Sequence, residues 1–243
     1  GNLNNEFAGL NRVVLMAKFD VVVIGLGVMG SAALHQLARR GVRAAGIERF
    51  APGHDRGSSH GETRIIRLGY FEHYSYVPLL RRSYELWRDI EASSGKKLLH
   101  ITGIAEIGPP DGKVVPGTLL ACRMHDLPHE VLHAGDLKKR FPAFNVPSDF
   151  VGVVQPDGGY LAAEPAVQAQ ITLARAAGAD IQPNVQVRAI TPVPGGVHLK
   201  TSKGDIDTGT LIVAAGPWMK KLLPNLPVPL RVTRQAMTWF KPV

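Results

Sequence analysis

Two short apolar stretches, with an amphipathic segment between them, stand out near the start of the chain. Residues 19–25 read FDVVVIG and residues 42–48 read VRAAGIE. Short apolar runs of this kind predict strands that are buried on both faces of a parallel sheet. The intervening segment, MGSAALHQLARRG, has apolar residues at helical spacing and ends at Gly41, which suits a helix C-cap. The pattern therefore predicts one strand–helix–strand unit.

The pattern changes after the second strand. Residues 51–74 are dominated by Pro, Gly, Ser and His, which predicts a loop. Ser75 then predicts the N-cap of a helix that carries Pro78 in its first turn. The apolar stripe of this helix includes Tyr84 and Trp87, and we interpret these side chains as core residues.

The second half of the chain has many short strand-like runs. In residues 98–154 the runs ITGIAEIG, HEVLHA and VGVVQP alternate with turns, which predicts an antiparallel segment of a second domain. EPAVQAQITLARAAG predicts a helix that ends at Gly178. VQVRAI, GVHLKTS and DIDTG predict a three-stranded meander, and TLIVAAGPW predicts a further buried strand that ends at Gly216. LRVTRQAMTWF, near the end of the chain, predicts a strand that enters a second sheet.

These elements predict a division of the chain into domains. We expect residues 1–16 to be a tag or a disordered leader, because a start-like Met-Ala-Lys follows. We expect a discontinuous cofactor domain over residues 17–97 and 155–225. The remaining segments, residues 98–154 and 226–243, are expected to form part of a substrate domain that is truncated in this sequence.

Composition and charge make several classes of ligand and site unexpected for this chain. The 243 residues carry a formal net charge of +8, but the basic clusters are short, scattered and not interleaved with aromatics. We therefore expect an anionic small-molecule ligand and no nucleic acid. No apolar run reaches the ~20 residues of a membrane span, and no secretory signal is evident. With Cys122 as the single cysteine and no close His spacing, we expect no disulfide, no metal site and a cytoplasmic location.

The glycines after the first strand indicate a dinucleotide site. Gly25, Gly27 and Gly30 have the spacing that permits a tight turn, close approach to a pyrophosphate, and packing of helix on strand. The helix N-terminus then faces the diphosphate with free N–H groups. Glu48 ends the second strand 21 residues beyond Gly27, where an acidic side chain accepts hydrogen bonds from ribose hydroxyls and repels a 2′-phosphate. The motif disfavours NADP but does not separate FAD from NAD.

A second motif, GSSHGETRIIR, spans residues 57–67. Arg64 and Arg67 are three residues apart, so a helical or turn-like backbone would project both guanidinium groups from one side. Two arginines near a cofactor suit a carboxylate substrate, because guanidinium binds carboxylate in a bidentate fork. The alternative, a solvated surface with incidental ion pairs, remains open on the spacing alone.

The chain resembles the monomeric sarcosine oxidase and N-methyltryptophan oxidase family of D-amino-acid-oxidase-like flavoproteins. The resemblance rests on FDVVVIGLGVMGSAALHQLARRG, GSSHGETRIIR, YVPLLRRSYELW and LIVAAGPW, in that order. It implies an α/β fold: a Rossmann-like, glutathione-reductase-type FAD-binding domain with a β-meander, and an incomplete antiparallel α+β substrate domain. It favours FAD over NAD.

The resemblance also implies roles for individual residues. The FAD diphosphate would contact Gly25, Gly27 and Gly30, and the adenosine would contact Glu48, Arg49 and Val187. His60 and Arg64 would lie beside the isoalloxazine ring, and Arg67 would bind the substrate carboxylate. The other residues assigned to the cofactor are Met29, Gly57, Ser58, Ser59, Ile65, Ala215, Gly216 and Trp218. Some members carry a second His where this chain has Ser59, which leaves the substrate preference there open.

The implied reaction is oxidation of the C–N bond of a secondary amino acid such as sarcosine. Hydride passes to the flavin, the resulting imine hydrolyses, and O2 reoxidises the flavin to give H2O2. We expect a monomer. The family's flavin-linking cysteine and oxygen-activating lysine match no position here, and Cys122 does not lie in the linking motif. An FAD-binding fragment without a complete catalytic site, another amino-acid oxidase or dehydrogenase of the superfamily, and an NAD-dependent dehydrogenase remain alternatives.

Overall fold

The computed structural model describes residues 18–241, so the prediction for residues 1–16 lies outside the described residues. These residues divide into two compact units. The first unit comprises residues 18–58 and 174–241, and the second comprises Ser59–Leu173. The assignment of a cofactor domain and a substrate domain to particular segments stays a prediction.

Twelve strands and six α-helices are assigned within the described part of the chain. In chain order they are β1 (Phe19–Ile24), α1 (Val28–Ala38), β2 (Ala44–Glu48), β3 (Thr63–Ile66), α2 (Val77–Ser94), β4 (Leu99–Ile101), β5 (Ile104–Gly108), α3 (Val114–His125), β6 (Glu130–His133), α4 (Ala134–Arg140), β7 (Val151–Gln155), β8 (Gly159–Ala162), α5 (Ala163–Ala176), β9 (Asp180–Pro183), β10 (Val187–Val193), β11 (Gly196–Thr201), β12 (Ile206–Val213) and α6 (Met219–Leu222).

The first unit contains a six-stranded sheet in the order β10-β11-β12-β1-β2-β9. Strands β12, β1, β2 and β9 are parallel, and β10, β11 and β12 form an antiparallel meander. The predicted strand–helix–strand unit and meander are therefore confirmed. Gly46 of β2 lets the helix pack closely, because a Cβ atom there would lie 2.5 Å from Leu34 Cδ2 of α1.

Two strands of this sheet differ from the sequence prediction. DIDTG and TLIVAAGPW do not form separate strands, because β12 runs unbroken through Gly209 and pairs with β1 from Thr208 to Val213. One strand thus serves both the meander and the parallel core. Strand β9 was not predicted, and it extends the sheet by pairing with β2.

The second unit contains two antiparallel three-stranded sheets, β3-β8-β4 and β5-β7-β6. The predicted antiparallel segment is confirmed in β5, β6 and β7. Two predictions were wrong. Residues 63–66 are the strand β3 rather than loop. Ser75 is not the N-cap of α2: it lies in a short 3₁₀ turn, where its N–H donates to the His73 side chain.

The strand predicted for LRVTRQAMTWF is absent: residues 230–240 lie outside any strand. Val232, Trp239 and Phe240 are exposed there. A strand needs a neighbour for its backbone N–H and C=O groups, and no described strand pairs with this segment. None of the helices within residues 18–241 has the length and hydropathy that a membrane crossing requires.

Tyr84 gives the second unit a testable dependence on pH. Its hydroxyl donates to the Asp157 carbonyl at 2.7 Å, and burial raises the pKa of Tyr84 to about 12. Because the unfolded phenol ionises near its ordinary value of 10, the free energy of unfolding should fall as pH rises from about 10 to about 12. Tyr84→Phe should remove this loss and cost about 1 kcal/mol at neutral pH. Urea unfolding at neutral and alkaline pH measures the free energy of unfolding of both proteins. If that free energy falls with rising alkaline pH as steeply in Tyr84→Phe as in the unmodified protein, Tyr84 is not the group responsible.

Candidate functional site

The turn between β1 and α1 can accommodate only glycine at two of its three motif positions. Gly25 has φ 90°, and its N–H donates to Ile47 O at 2.8 Å. A Cβ atom on Gly25 would lie 2.5 Å from Ala214 O, and one on Gly30 would lie 1.7 Å from Gly25 O. The turn is therefore as tight as the sequence motif predicts.

This turn presents the N-terminus of α1 to a ligand. Gly27 is the N-cap in an extended conformation, and as a glycine it offers no side chain to cap the helix. Gly27 is only half-buried, and the Met29 side chain in the first turn is 75% exposed. Helix N–H groups and the positive end of the helix dipole favour an anion such as a diphosphate here.

Glu48 joins the end of β2 to the glycine turn. Its buried carboxylate accepts from Leu26 N at 2.8 Å through Oε2 and from Phe50 N at 3.1 Å through Oε1. Oε1 also lies 3.3 Å from His54 Nε2. A carboxylate has about four lone-pair sites, so Glu48 retains capacity for a ribose hydroxyl while its position is fixed by the backbone.

His54 completes the surroundings of Glu48 and was missed by the sequence analysis. Its Nδ1 accepts from Arg56 N at 3.0 Å, which places the proton of the neutral ring on Nε2, facing Glu48. The ring contacts Phe50 at 4.8 Å and Trp218 at 6.4 Å between centroids. A histidine in a Pro/Gly-rich loop carries no periodic signal, so the sequence offered no reason to select it.

The remaining residues predicted for the cofactor in the first unit have varied environments. Trp218 ends a 3₁₀ turn, 5.8 Å from the Phe50 ring, and Ala215 lies beside Gly25. Arg49 is exposed, with its guanidinium 5.2 Å from the same Phe50 ring. The others are buried Val187 at the start of β10, exposed Gly216 with φ 50°, half-buried Gly57 and exposed Ser58.

The first unit therefore gathers Gly25, Gly30, Glu48 and Ala215 at the carboxyl ends of β1, β2 and β12. Val185 N donates to Glu48 O at 2.9 Å, and Val187 lies two residues beyond Val185 in the chain. In open α/β sheets, ligands bind at this edge of the strands. The glycine turn, the N-terminus of α1 and the fixed carboxylate all fit the ADP portion of a dinucleotide.

Glu48 gives a test of this edge. Glu48→Gln replaces an acceptor-only group by one with an amide donor, which must face either Leu26 N or Phe50 N. We expect FAD affinity to fall about tenfold or more, measured by titrating the apoprotein with FAD. Asp20→Asn is the matched control, because Asp20 makes an exposed ion pair with Arg43 in the same unit. Equal FAD affinity in both variants would contradict the role of Glu48.

In the second unit, Arg64 is held by its own loop. Its Nη2 donates to His60 O at 2.5 Å and its Nη1 to Thr63 O at 2.7 Å. Ser59 and His60 are half-buried, and Ile65 is 61% exposed. The helical or turn-like backbone considered for Arg64 and Arg67 was wrong: Arg64 lies in β3 and Arg67 just beyond it, so a three-residue spacing does not place them on one face.

Arg67 is surrounded by acidic and aromatic side chains. Its Nε lies 2.8 Å from Glu106 Oε1, and its Nη2 donates to Glu72 Oε2 at 3.3 Å. The guanidinium carbon is 4.5 Å from the Tyr70 ring centroid and 5.3 Å from that of Phe71. The Arg67 side chain is only 13% exposed. Its cation is therefore fixed in place, by acidic partners that no sequence pattern indicated.

Two other titratable groups in this unit are buried. Burial raises the pKa of the Glu106 carboxyl, although Arg67 acts in the opposite direction. Burial raises the pKa of the Cys122 thiol to about 11, so Cys122 is a neutral core side chain at physiological pH. Across residues 18–241, no three or more His, Cys, Asp or Glu side chains form a group that could hold a metal ion.

The fold and the glycine turn define a dinucleotide-binding protein of the α/β class. The chain belongs to the FAD dependent oxidoreductase family, DAO, whose model matches residues 20–243. This confirms the predicted family and FAD as the cofactor.

Individual relatives agree with this family. Over 224 residues the chain is 42% identical to monomeric sarcosine oxidase of Streptomyces avermitilis, covering 92% of this chain and 58% of the relative. It is 36% identical to N-methyl-L-tryptophan oxidase of Yersinia pestis, covering 92% of this chain and 60% of the relative. The chain thus spans somewhat more than half the length of these relatives.

A solved structure shows the same fold. NikD, described as an unusual amino acid oxidase essential for nikkomycin biosynthesis, superposes with a TM-score of 0.78 at 32% identity. The match covers 85% of this chain and 53% of NikD. The predicted α/β fold class is confirmed.

Proposed function

We propose that the complete protein is an FAD-dependent oxidase of secondary amino acids such as sarcosine. The observation that carries this proposal is Arg67, a cation held among Glu106, Tyr70 and Phe71 in a chain of a flavoprotein family. A guanidinium held in this way suits the carboxylate that every amino-acid substrate carries. The sarcosine and N-methyl-L-tryptophan oxidases among its relatives support an N-methyl substrate.

The first unit has the groups that FAD binding requires. Gly25, Gly27 and Gly30 give the diphosphate access to backbone N–H groups at the start of α1. Glu48 accepts from the adenosine ribose, in the position that its bonds to the backbone fix. When bound, FAD supplies the hydride acceptor that no amino-acid side chain can provide.

The chain's own residues bind and orient the substrate and balance charge. Arg67 binds the substrate carboxylate. With that end of the substrate held, the N-methyl amine is the end that is positioned for oxidation. His60 and Arg64 supply positive or hydrogen-bonding groups for the flavin ring. The N-methyl carbon loses a hydride and the amine nitrogen a proton to give an imine, and water hydrolyses the imine to formaldehyde and the primary amino acid. O2 takes the two electrons and two protons to form H2O2. A cytoplasmic location remains a prediction from the single cysteine.

A second candidate is an oxidase or dehydrogenase of a different amino acid. The likeness to NikD, which is described as an unusual amino acid oxidase, supports this candidate. A third candidate is a protein that binds FAD without catalysis, which the glycine turn and Glu48 of the first unit would support by themselves.

The experiment measures O2 consumption and H2O2 release by the purified complete protein. The substrates are sarcosine, N-methyltryptophan and proline, and dimethylamine is the control because it is sarcosine without the carboxylate. We expect turnover of at least one N-methyl amino acid and none of dimethylamine. Turnover of proline alone would favour the second candidate, and bound flavin without any turnover would favour the third.

A further inference from the structure

Glu106 is an acidic side chain in a strand position that faces the interior of the second unit. Along β5, Glu106 and Gly108 are buried, whereas Ala105 and Ile107 are only partly buried. Glu106 is 8% exposed. A buried carboxylate is costly unless it is paired and hydrogen-bonded, so the surroundings of Glu106 indicate why it is there.

One carboxylate oxygen of Glu106 is fixed by two other elements. Oε2 accepts from Thr118 Oγ1 of α3 at 3.1 Å and from Gln155 Nε2 of β7 at 2.7 Å. Both donors are buried. These bonds determine the direction in which the second oxygen, Oε1, points, and Oε1 lies 2.8 Å from Arg67 Nε.

The same network holds the backbone next to Arg67. Gln155 Oε1 accepts from Gly69 N at 2.7 Å, two residues beyond Arg67. A Cβ atom on Gly69 would lie only 2.5 Å from Gln155 Oε1, so the backbone is packed directly against the amide. Glu106 fixes the Arg67 side chain and Gln155 fixes its loop, and a hydrogen bond links the two.

The two ends of the Arg67 guanidinium have acidic partners that differ in burial. Glu106 lies at the Nε edge, where the contact is an ion pair and the N–H is not directed at a hydrogen-bond acceptor. The other end, at Nη2, contacts Glu72, whose side chain is 44% exposed. Tyr70 and Phe71 restrict rotation by their ring contacts. A carboxylate ligand can therefore take the place of Glu72 at Nη2 while Glu106 stays in contact with Nε.

We propose that Glu106 is a positioning residue for Arg67, orienting the guanidinium so that its Nη end binds the substrate carboxylate. The proposal rests on the proposed function, in which Arg67 binds that carboxylate. A pre-oriented guanidinium loses less freedom on binding than a mobile one, so Glu106 acts on substrate affinity rather than on the hydride step.

The test compares Glu106→Gln, Thr118→Val and Glu130→Gln in the complete FAD-loaded protein. Gln has nearly the same shape but only one acceptor oxygen. If that oxygen accepts from Thr118 and Gln155, the amide NH2 group faces the Arg67 cation. Thr118→Val removes one bond to Glu106 and retains its charge. Glu130→Gln is the matched control, because Glu130 lies on β6 of the same sheet in an exposed ion pair with Arg140.

Two readouts are measured: KM and kcat for the best N-methyl amino acid, and the Kd of acetate from the change in the flavin spectrum. We expect Glu106→Gln to raise KM and the acetate Kd about tenfold, with kcat changed less than about twofold. Thr118→Val should raise both by about threefold, and Glu130→Gln should leave them unchanged. Thermal unfolding confirms that each variant is folded.

Arg67→Lys, measured in parallel, separates the positioning role of Glu106 from the carboxylate-binding role of Arg67. If Arg67→Lys raises KM and the acetate Kd but Glu106→Gln and Thr118→Val do not, the positioning role is wrong and the proposed function stands. If Glu106→Gln lowers kcat and leaves KM unchanged, the positioning role is also wrong. If Arg67→Lys itself leaves both constants unchanged, the assignment of Arg67 in the proposed function is wrong.

Discussion

Gly30→Ala is expected to abolish retention of FAD. The new methyl group would lie 1.7 Å from Gly25 O, so either the turn or the first turn of α1 must move. Backbone cannot yield as the end of a flexible side chain can, and overpacking of this kind costs roughly 3 kcal/mol or more. If that cost falls on the ligand-binding conformation, FAD affinity decreases about a hundredfold or more.

The measurement is the ratio of flavin to protein after gel filtration, together with FAD titration of the apoprotein. Gly135→Ala is the control: Gly135 lies in α4, and a Cβ atom there meets nothing within 4 Å. Circular dichroism shows whether the variant still folds. A folded Gly30→Ala protein that retains FAD as the control does would show that the turn is not the diphosphate site.

Arg67→Met is expected to lower kcat/KM for the N-methyl amino acid by about two to three orders of magnitude. Removing one partner of a desolvated, hydrogen-bonded charge pair costs about 2–5 kcal/mol, and here Glu106 would also lose its counter-charge. Arg67→Lys should recover part of the loss, because ammonium supplies the charge without the planar fork.

The kinetic constants are compared with those of Arg82→Met, because Arg82 makes only an exposed ion pair with Glu85. A kcat/KM for sarcosine that is unchanged in Arg67→Met would show that the carboxylate binds elsewhere.

The sequence predicted the parts of the fold that local periodicity determines. One short segment contains the buried β1 and β2 runs, the intervening helix and the glycine spacing. These elements could therefore be predicted from the local sequence without tertiary information. Strand β9 was missed because DIQP is short and half polar, and only its pairing with β2 makes it a strand. The boundary predicted between DIDTG and TLIVAAGPW was wrong, because β12 continues through Gly209.

The residues of the candidate site also include some that the sequence predicted and one that it did not. Gly25, Gly30 and Glu48 were predicted because a known motif fixes their spacing, and the structure places them at one edge of the sheet. Glu106 was not predicted, because one acidic residue in a strand ordinarily faces solvent. Its role depends on Arg67, 39 positions away in sequence, and on the α3 and β7 donors, which no local pattern connects.

The most direct test of the central claim is anaerobic mixing of the purified, flavin-containing complete protein with an N-methyl amino acid. We predict that sarcosine or N-methyltryptophan bleaches the flavin absorbance without O2, that admitted O2 restores it with release of H2O2, and that dimethylamine has no effect. Flavin that stays oxidised with every N-methyl amino acid, or that dimethylamine bleaches equally well, would contradict it.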